Sequence, residues 1–222
     1  MSPYAPQGFS IEIDGVSKNY GYVQALRSVS LRIEEGTFLA FLGSNGAGKT
    51  TLLKIIATHT TPSSGTVRLF GEDAFRERSR IRNRIGFISH ESYLYDELTV
   101  RENLQFYARI FSADEADVAR TIDVFDLRRW QNVPVGQLSH GLRKRADLAR
   151  ALLHTPDLIL LDEPFSGLDS TTCDRFIHTF LDLKEDHKTL IFSSHSLDWV
   201  RKLCDREIML EKGKILHAAP NG

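Results

Sequence analysis

The chain has 222 residues, which is enough for one large domain or for a core domain with a smaller insert. Its 28 basic and 29 acidic residues give a net charge of −1, so the composition offers no electrostatic case for binding nucleic acid. No run approaches the ~18 apolar residues of a membrane span, and we therefore expect a cytoplasmic protein that reaches a membrane only through a partner.

Two segments near the N-terminus, residues 11–16 and 26–33, alternate apolar and polar side chains. Such alternation is typical of half-exposed antiparallel strands. Between them, residues 18–22 form an aromatic turn that contains Tyr20. A tyrosine in this place stacks on a purine ring or caps the edge of a sheet, and the local sequence alone favours the second alternative.

A glycine-rich stretch at residues 43–51 lies between the apolar runs 38–42 and 52–56, and it fits the pattern G-x-x-x-x-G-K-[ST]. Gly46 and Gly48 allow consecutive N–H groups to face inward, and these donors together with a helix N-terminus bind anions. Lys49 adds a charge for the β- and γ-phosphates of a nucleotide, and the hydroxyl of Thr50 suits Mg²⁺. The predicted phosphate contacts are Gly43, Ser44, Asn45, Gly46, Ala47, Gly48, Lys49, Thr50 and Thr51.

The middle of the chain changes character twice. Residues 65–71 predict a short strand, and the five arginines within residues 76–84 predict a solvated helix face, with contact to acidic lipid headgroups or to a partner as the alternative. Residues 85–89 predict another strand, which ends at His90. From residue 99 to about residue 129 the apolar residues recur at three- and four-residue intervals, which predicts an all-helical insert in an otherwise α/β chain.

The sequence L-S-H-G at residues 138–141 opens a predicted helix that continues to about residue 153. Ser139 is a good N-cap, and a helix that begins Ser-x-Gly is also a second place where backbone donors can hold an anion. On this segment alone, helix capping is the favoured interpretation.

Residues 158–161 are four consecutive apolar residues, as in a parallel strand that is buried on both faces. Asp162 and Glu163 follow at its C-terminal end, where α/β folds place ligands. We expect Asp162 to hold Mg²⁺ through water and Glu163 to orient and deprotonate an attacking water. A second buried strand, residues 188–192, leads to His195, which we expect at the same edge and near a γ-phosphate. Residues 206–216 predict a closing hairpin.

Several motifs, taken in order, resemble those of the nucleotide-binding subunit of ABC transporters. They are residues 43–51, 138–141, 160–164, 166–169 and His195. The resemblance covers residues 11–216, and the serine-glycine signature before the acidic strand is its most specific part. In this chain the signature is L-S-H-G-L, whereas the commoner form is L-S-G-G-Q. Ser139 and Gly141 are kept, so both retain their expected role in contacting phosphate.

The resemblance implies an α/β fold of the P-loop NTPase class, with a RecA-like parallel core, an N-terminal antiparallel β-subdomain and an inserted α-helical subdomain. Residues 1–222 would form a single ABC ATPase domain. Residues 1–91 and 157–222 would form the nucleotide-binding core, and residues 92–156 the helical insert with the signature helix.

The resemblance also implies ATP and Mg²⁺ as cofactors and a head-to-tail pair of ATPase subunits, either a homodimer or two different chains. Each ATP would be held by the phosphate loop of one subunit and by Ser139 and Gly141 of the other. Tyr20 would stack on adenine, Asp169 would lie at the dimer seam, and His195 would contact the γ-phosphate.

One position departs from the family pattern, because His90 stands where similar proteins have a glutamine that contacts Mg²⁺ and the attacking water. An imidazole is a poorer ligand for Mg²⁺ than an amide oxygen. We therefore expect His90 to sense nucleotide indirectly or to titrate near neutral pH. A histidine at this position, in a compact chain, is also similar to the ATPase of haem exporters used in cytochrome c maturation.

By the same resemblance, separate permease subunits would hold the chain at the inner face of the membrane. Their docking surface would be the cleft between core and insert near Tyr93, Leu94, Tyr95 and Leu98, some of which equally suit the core of the insert. Two other functions stay open, an ABC-type ATPase that acts outside transport and a small-molecule kinase that uses the same phosphate loop.

Overall fold

The structure is a computed structural model that describes residues 9–195 and 197–220, with side chains described up to residue 216. The described strands are, in chain order, β1 (Phe9–Tyr20), β2 (Val23–Glu34), β3 (Phe38–Leu42), β4 (Ser64–Leu69), β5 (Glu72–Asp73), β6 (Ile85–Ile88), β7 (Leu158–Asp162), β8 (Thr189–Ser194), β9 (Arg206–Glu211) and β10 (Lys214–Pro220). The described α-helices are α1 (Lys49–Ile56), α2 (Arg78–Arg82), α3 (Val100–Phe111), α4 (Glu115–Val124), α5 (His140–Leu152), α6 (Ser170–Glu185) and α7 (Leu197–Leu203).

The smaller sheet has the strand order β2-β1-β4-β5 and is antiparallel throughout. Alternate residues of β1, namely Ile11 and Ile13, are buried against α1 and the central sheet, as the alternating sequence predicts. β1 extends further than its apolar pattern, to Tyr20 at the tip of the hairpin. The predicted antiparallel β-subdomain is confirmed.

The larger sheet has the order β10-β9-β3-β8-β7-β6. The five strands from β9 to β6 are parallel, and β10 pairs with β9 as an antiparallel hairpin. Every residue of β3, β7 and β8 is buried, because the sheet is covered on both faces. The carboxyl ends of β3, β6, β7 and β8 therefore share one edge, which carries the phosphate loop, His90, the two acids and His195.

The chain between β6 and β7 is helical, as predicted. α3 begins with a capping box formed by Thr99 and Glu102, and α4 begins with another formed by Asp114 and Asp117. The helical periodicity over residues 99–129 corresponds to two helices, and α3 ends at Ser112, which adopts a left-handed φ of 58°. The α/β fold of the P-loop NTPase class, with its helical insert, is confirmed, while the division at residues 91, 92, 156 and 157 stays a prediction.

The arginine-rich segment agrees with the expectation only in part, because the side chains of Arg76 and Arg80 are exposed while others contact the core. α2 contains only residues Arg78–Arg82, so residues 76–84 do not form one solvated helix face. Arg82 donates to the hydroxyl of Thr58 at 3.0 Å, and Arg84 pairs with Asp157 at 2.7 Å. The segment is therefore tied to the core at its C-terminal end. Within residues 9–195 and 197–220, none of the helices is long and apolar enough to cross a membrane.

A buried histidine after α5 gives the fold a testable pH dependence. The ring of His154 stacks on Phe111 with centroids 3.9 Å apart, and its Nε2–H donates to the carbonyl of Ile85 at 3.2 Å. Its Nδ1 is buried and has no partner among the described residues, so protonation would leave a buried donor unpaired. The pKa of His154 is lowered from 6.5 to about 4, mainly by burial, and the charge of nearby Arg150 contributes to the lowering.

Because the pKa is lower in the folded chain than in the unfolded chain, stability is complete above pH 6.5 and is lost as the pH falls toward 4. We expect His154 alone to cost about 2 kcal/mol of unfolding free energy between pH 7 and pH 5. His154→Phe keeps the stacking but cannot titrate, so its stability should fall less over this interval. Urea denaturation of both chains at pH 7 and pH 5 measures the difference, and equal losses would contradict the assignment to His154.

Candidate nucleotide site

The phosphate loop connects β3 to α1, and close packing makes two of its glycines obligatory. A Cβ on Gly43 would lie 2.3 Å from the carbonyl oxygen of Leu210, and Gly43 has a φ of 143°. A Cβ on Gly48 would lie 2.8 Å from the carbonyl oxygen of Ala25, with a φ of 108°. Any other residue would therefore displace β9 or β2, and with it the turn that brings the loop's N–H groups together.

Lys49 is the first residue of α1 and is buried in the loop itself. Its ammonium donates to the carbonyls of Gly43 at 2.6 Å and Ser44 at 3.2 Å. The first turn of α1 contains no acidic residue, so the positive end of the helix and the Lys49 charge act together. This arrangement has the donors and the charge that a polyphosphate requires.

Asp162 ends β7 directly opposite the start of α1. Its buried carboxylate accepts hydrogen bonds through Oδ1 from the hydroxyl of Thr50 at 3.1 Å and from the hydroxyl of Ser193 at 2.6 Å. Carboxylate and hydroxyl oxygens in contact are the hard ligands that Mg²⁺ prefers. Ser193 was not predicted as a site residue, because no motif marks a serine on β8 and only the pairing of β7 with β8 brings it to Asp162.

Glu163 follows in a backbone conformation that is rare for a residue with a side chain, with a φ of 50°. Its N–H donates to the hydroxyl of Ser193 at 2.9 Å. Its carboxylate lies 3.0 Å from Nδ1 of His195. An ionised carboxylate only accepts hydrogen bonds, so Nδ1 carries the proton and Nε2 of His195 remains available to another group. The Glu163 side chain is 22% exposed and that of His195 is 68% exposed, so both reach solvent.

One cleft of about 1110 Å³ brings these groups together. Tyr20, which is 48% exposed, lines this cleft together with His90 and the two acids. The cleft is also lined by polar and charged residues that no motif indicated, and these are Gln24, Arg27, Lys54, Glu91 and Lys212. Gln24 and Arg27 come from β2, Lys54 from α1, Glu91 from the segment after β6 and Lys212 from the β9–β10 turn, and the fold brings them to one cleft.

Ser139 and Gly141 do not occur among the described residues that line this cleft. The Ser139 hydroxyl accepts from the N–H of Leu142 at 3.4 Å and caps α5. A Cβ on Gly141 would lie 3.9 Å from Asp169, which caps α6 by accepting from the N–H of Thr172 at 2.9 Å. That hydrogen bond lowers the pKa of Asp169. The two predicted phosphate contacts and the predicted seam residue thus lie together, away from the phosphate loop of their own chain.

Comparison with known proteins agrees with this geometry. The family model described as "ABC transporter" matches residues 26–166, from β2 through the phosphate loop, the signature and the acids. The chain belongs to the ABC transporter family. Among curated relatives, the ABC transporter ATP-binding protein NatA of Bacillus subtilis is 41% identical to this chain, over 88% of the chain and 81% of the relative.

The names of two other relatives include a transported compound. The bacitracin transport ATP-binding protein BcrA of Bacillus licheniformis is 34% identical, over 95% of the chain and 69% of the relative. The Nod factor export ATP-binding protein I of Burkholderia orbicola is 35% identical, over 95% of the chain and 71% of the relative.

Solved structures agree on the fold and on the reaction. The dimeric, post-hydrolysis ATP-binding cassette MJ0796, with ADP and phosphate bound, superposes with a TM-score of 0.89 at 28% identity, over 96% of the chain and 99% of the cassette. The chain is an ATP-hydrolysing cassette of an ABC transporter.

Proposed function

We propose that this chain hydrolyses MgATP at two composite sites of a dimer and so drives a transporter whose membrane-spanning part is a separate subunit. The proposal is supported by the cleft, which lacks the two signature residues. It contains the phosphate loop, Asp162, Glu163 and His195, while Ser139 and Gly141 of the same chain lie elsewhere. A second chain in head-to-tail orientation supplies them.

Within each site, Tyr20 stacks on adenine, and Lys49 with the N–H groups of residues 43–51 holds and neutralises the phosphates. Glu163 orients the attacking water in line with the γ-phosphate and takes its proton. His195 holds the Glu163 carboxylate through Nδ1, and it donates to the γ-phosphate through Nε2 when both ring nitrogens carry a proton. Ser139 and Gly141 of the partner subunit close the site, and Asp169 lies at the seam between the subunits.

Thr50 and Asp162 are the residues that would hold Mg²⁺, Thr50 with its hydroxyl and Asp162 with its carboxylate. The contact between their oxygens at 3.1 Å supports this assignment, because both are hard donors that already face one another. When bound, the ion neutralises charge on the β- and γ-phosphates. Ser193 keeps the Asp162 carboxylate in place, and His90 at the mouth of the cleft contacts the ion only indirectly.

The membrane subunit docks in a groove of about 330 Å³ between α2 and α3, which Tyr93 lines. Tyr95 and Leu98 do not occur among the described residues that line this groove, and they stay predicted contacts of the partner. Leu94 is the exception to the prediction, since it is buried in the core and stabilises the insert instead. Burial and the neighbouring arginines lower the pKa of His59 in this groove to about 4. A positive, aromatic groove suits an acidic segment of the partner, and its lining residues include His59, Arg82, Phe87, Tyr93, Tyr107 and Arg150.

The name of one relative supports export as the direction of transport, because Nod factor export describes movement out of the cell. The names of the relatives do not support the haem-exporter type that His90 suggested. We therefore propose an exporter at the inner face of the membrane and leave haem aside. Copurification of the tagged chain with a polytopic membrane protein tests transport, and its absence would favour an ABC-type ATPase that acts in another process.

His90 offers a test of how the site communicates with that partner. We expect His90→Gln to keep hydrolysis within about tenfold, because an amide replaces the imidazole at the mouth of the cleft. We expect His90→Ala to keep hydrolysis but to lower transport per ATP. ATPase and transport assays of the reconstituted complex measure both. Equal transport per ATP in the alanine variant would contradict the proposal, and His178→Ala, an exposed histidine on α6, is the control.

A further inference from the structure

The side chain of Lys144 makes an unusual set of contacts. It projects from the second turn of α5, the helix that Ser139 caps, and its ammonium lies against the turn that follows β7. It donates to the carbonyl oxygens of Glu163 at 3.1 Å, Ser166 at 2.9 Å and Pro164 at 3.5 Å. All three acceptors are backbone carbonyls, so the ammonium is held by the shape of this turn.

The turn that Lys144 holds begins at Glu163. The Glu163 backbone is in the left-handed region, which a residue with a side chain adopts only when its surroundings impose it. Its N–H is fixed by Ser193 at 2.9 Å and its carbonyl by Lys144 at 3.1 Å. The two contacts hold the peptide units on both sides of Cα, and thereby fix the direction in which the carboxylate leaves the backbone.

A second residue of α5 contacts the same turn. His140 lies four residues before Lys144 and hence on the same face of the helix. Its Nδ1–H donates to the carbonyl of Gly167 at 3.2 Å, and a Cβ on Gly167 would lie 3.1 Å from its ring. The turn from Glu163 to Gly167 is therefore attached at both ends to the first two turns of α5.

We propose that Lys144 is a positioning residue for ATP hydrolysis, and that through it α5 couples the two sites of the dimer. This inference rests on the proposed composite sites. The N-terminus of α5 contacts the ATP of one site through Ser139 and Gly141, while Lys144 holds Glu163, which acts on the ATP of the other site. A small shift of α5 on binding of one nucleotide thus moves the Glu163 carboxylate at the second.

The test compares Lys144→Met, which keeps the length but loses every donor, with Lys144→Arg, which keeps charged donors. Because misplacing a reacting group by 1 Å costs up to ~10²-fold, we expect Lys144→Met to lower kcat by about 10- to 100-fold. The KM for ATP should stay within about twofold, since the phosphate loop is untouched. Lys144→Arg should recover at least part of the lost kcat. Arg145→Met is the matched control, because Arg145 is the next residue of α5 and its side chain pairs with Asp126, which follows α4.

A merely structural lysine would lower the melting temperature of Lys144→Met without lowering kcat of the folded chain, and that result would overturn the proposal. A KM that rises as far as kcat falls would also overturn it. The double variant Glu163→Gln with Lys144→Met separates the two proposals. If it forms a dimer with ATP, the composite site stands whatever the kinetics show. If the single variant Glu163→Gln stays monomeric with ATP, the composite site itself fails.

Discussion

Replacing Glu163 by glutamine is expected to lower kcat for ATP hydrolysis by about 10²- to 10⁴-fold, the range that a general base contributes. The amide has the shape of the carboxylate but cannot take the proton of the attacking water. Its oxygen can still accept from Nδ1 of His195, so the 3.0 Å contact and the fold are retained. Release of phosphate from ATP under saturating MgATP measures the loss.

The same variant should accumulate as a dimer with ATP, because closure occurs without the hydrolysis that reopens it. Size exclusion with and without ATP detects the change in mass. Glu91→Gln is the control, since Glu91 also lines the cleft but has no proposed part in the reaction. A Glu163→Gln chain that hydrolyses ATP normally would remove Glu163 from its role, and one that stays monomeric with ATP would contradict the composite site.

The parts of the fold that were predictable are those whose cause is local. Consecutive apolar residues in β3 and β7 predict strands buried on both faces, and the structure buries every residue of both. The phosphate loop was predictable because its chemistry is contained within residues 43–51. α7 was not predicted, because a seven-residue helix carries too little periodicity to be recognised.

The contacts that the sequence could not predict join residues far apart in the chain. Ser193 reaches both Asp162 and the N–H of Glu163 because β8 pairs with β7, and Lys144 reaches the same residue from a different helix. Lys144 and Glu163 are 19 residues apart in the chain, and Asp162 and Ser193 are 31 residues apart, so no short motif contains both partners of either contact. The rare backbone conformation of Glu163 could not be predicted from the sequence either, since nothing in its residue type predicts a φ of 50°.

A large effect on ATP hydrolysis is also expected at Ser139. The amino-acid sequence alone allowed this residue either to cap a helix or to contact phosphate. Ser139→Asp separates the two, because aspartate is as good an N-cap as serine but brings a negative charge to a phosphate. If Ser139 only caps α5, this variant should hydrolyse ATP normally. If it faces the γ-phosphate bound by the partner subunit, hydrolysis should fall by at least about 100-fold, as when a single transition-state donor is lost. Phosphate release and circular dichroism together distinguish lost activity from lost helix.

Mixing Ser139→Asp with Lys49→Ala then tests whether the site is shared between chains. Each variant alone should be inactive, because both sites of its dimer carry the same defect. In a mixed dimer, one site combines both defects, while the other combines the intact Lys49 of one chain with the intact Ser139 of its partner. Since half of the dimers are mixed and each keeps one of two sites, an equal mixture should regain up to about a quarter of the unmodified activity.

The control is a mixture of Lys49→Ala with a chain that carries both Lys49→Ala and Ser139→Asp, because this mixture can form no intact site. A mixture no more active than this control would place the whole site within one chain and refute the head-to-tail arrangement.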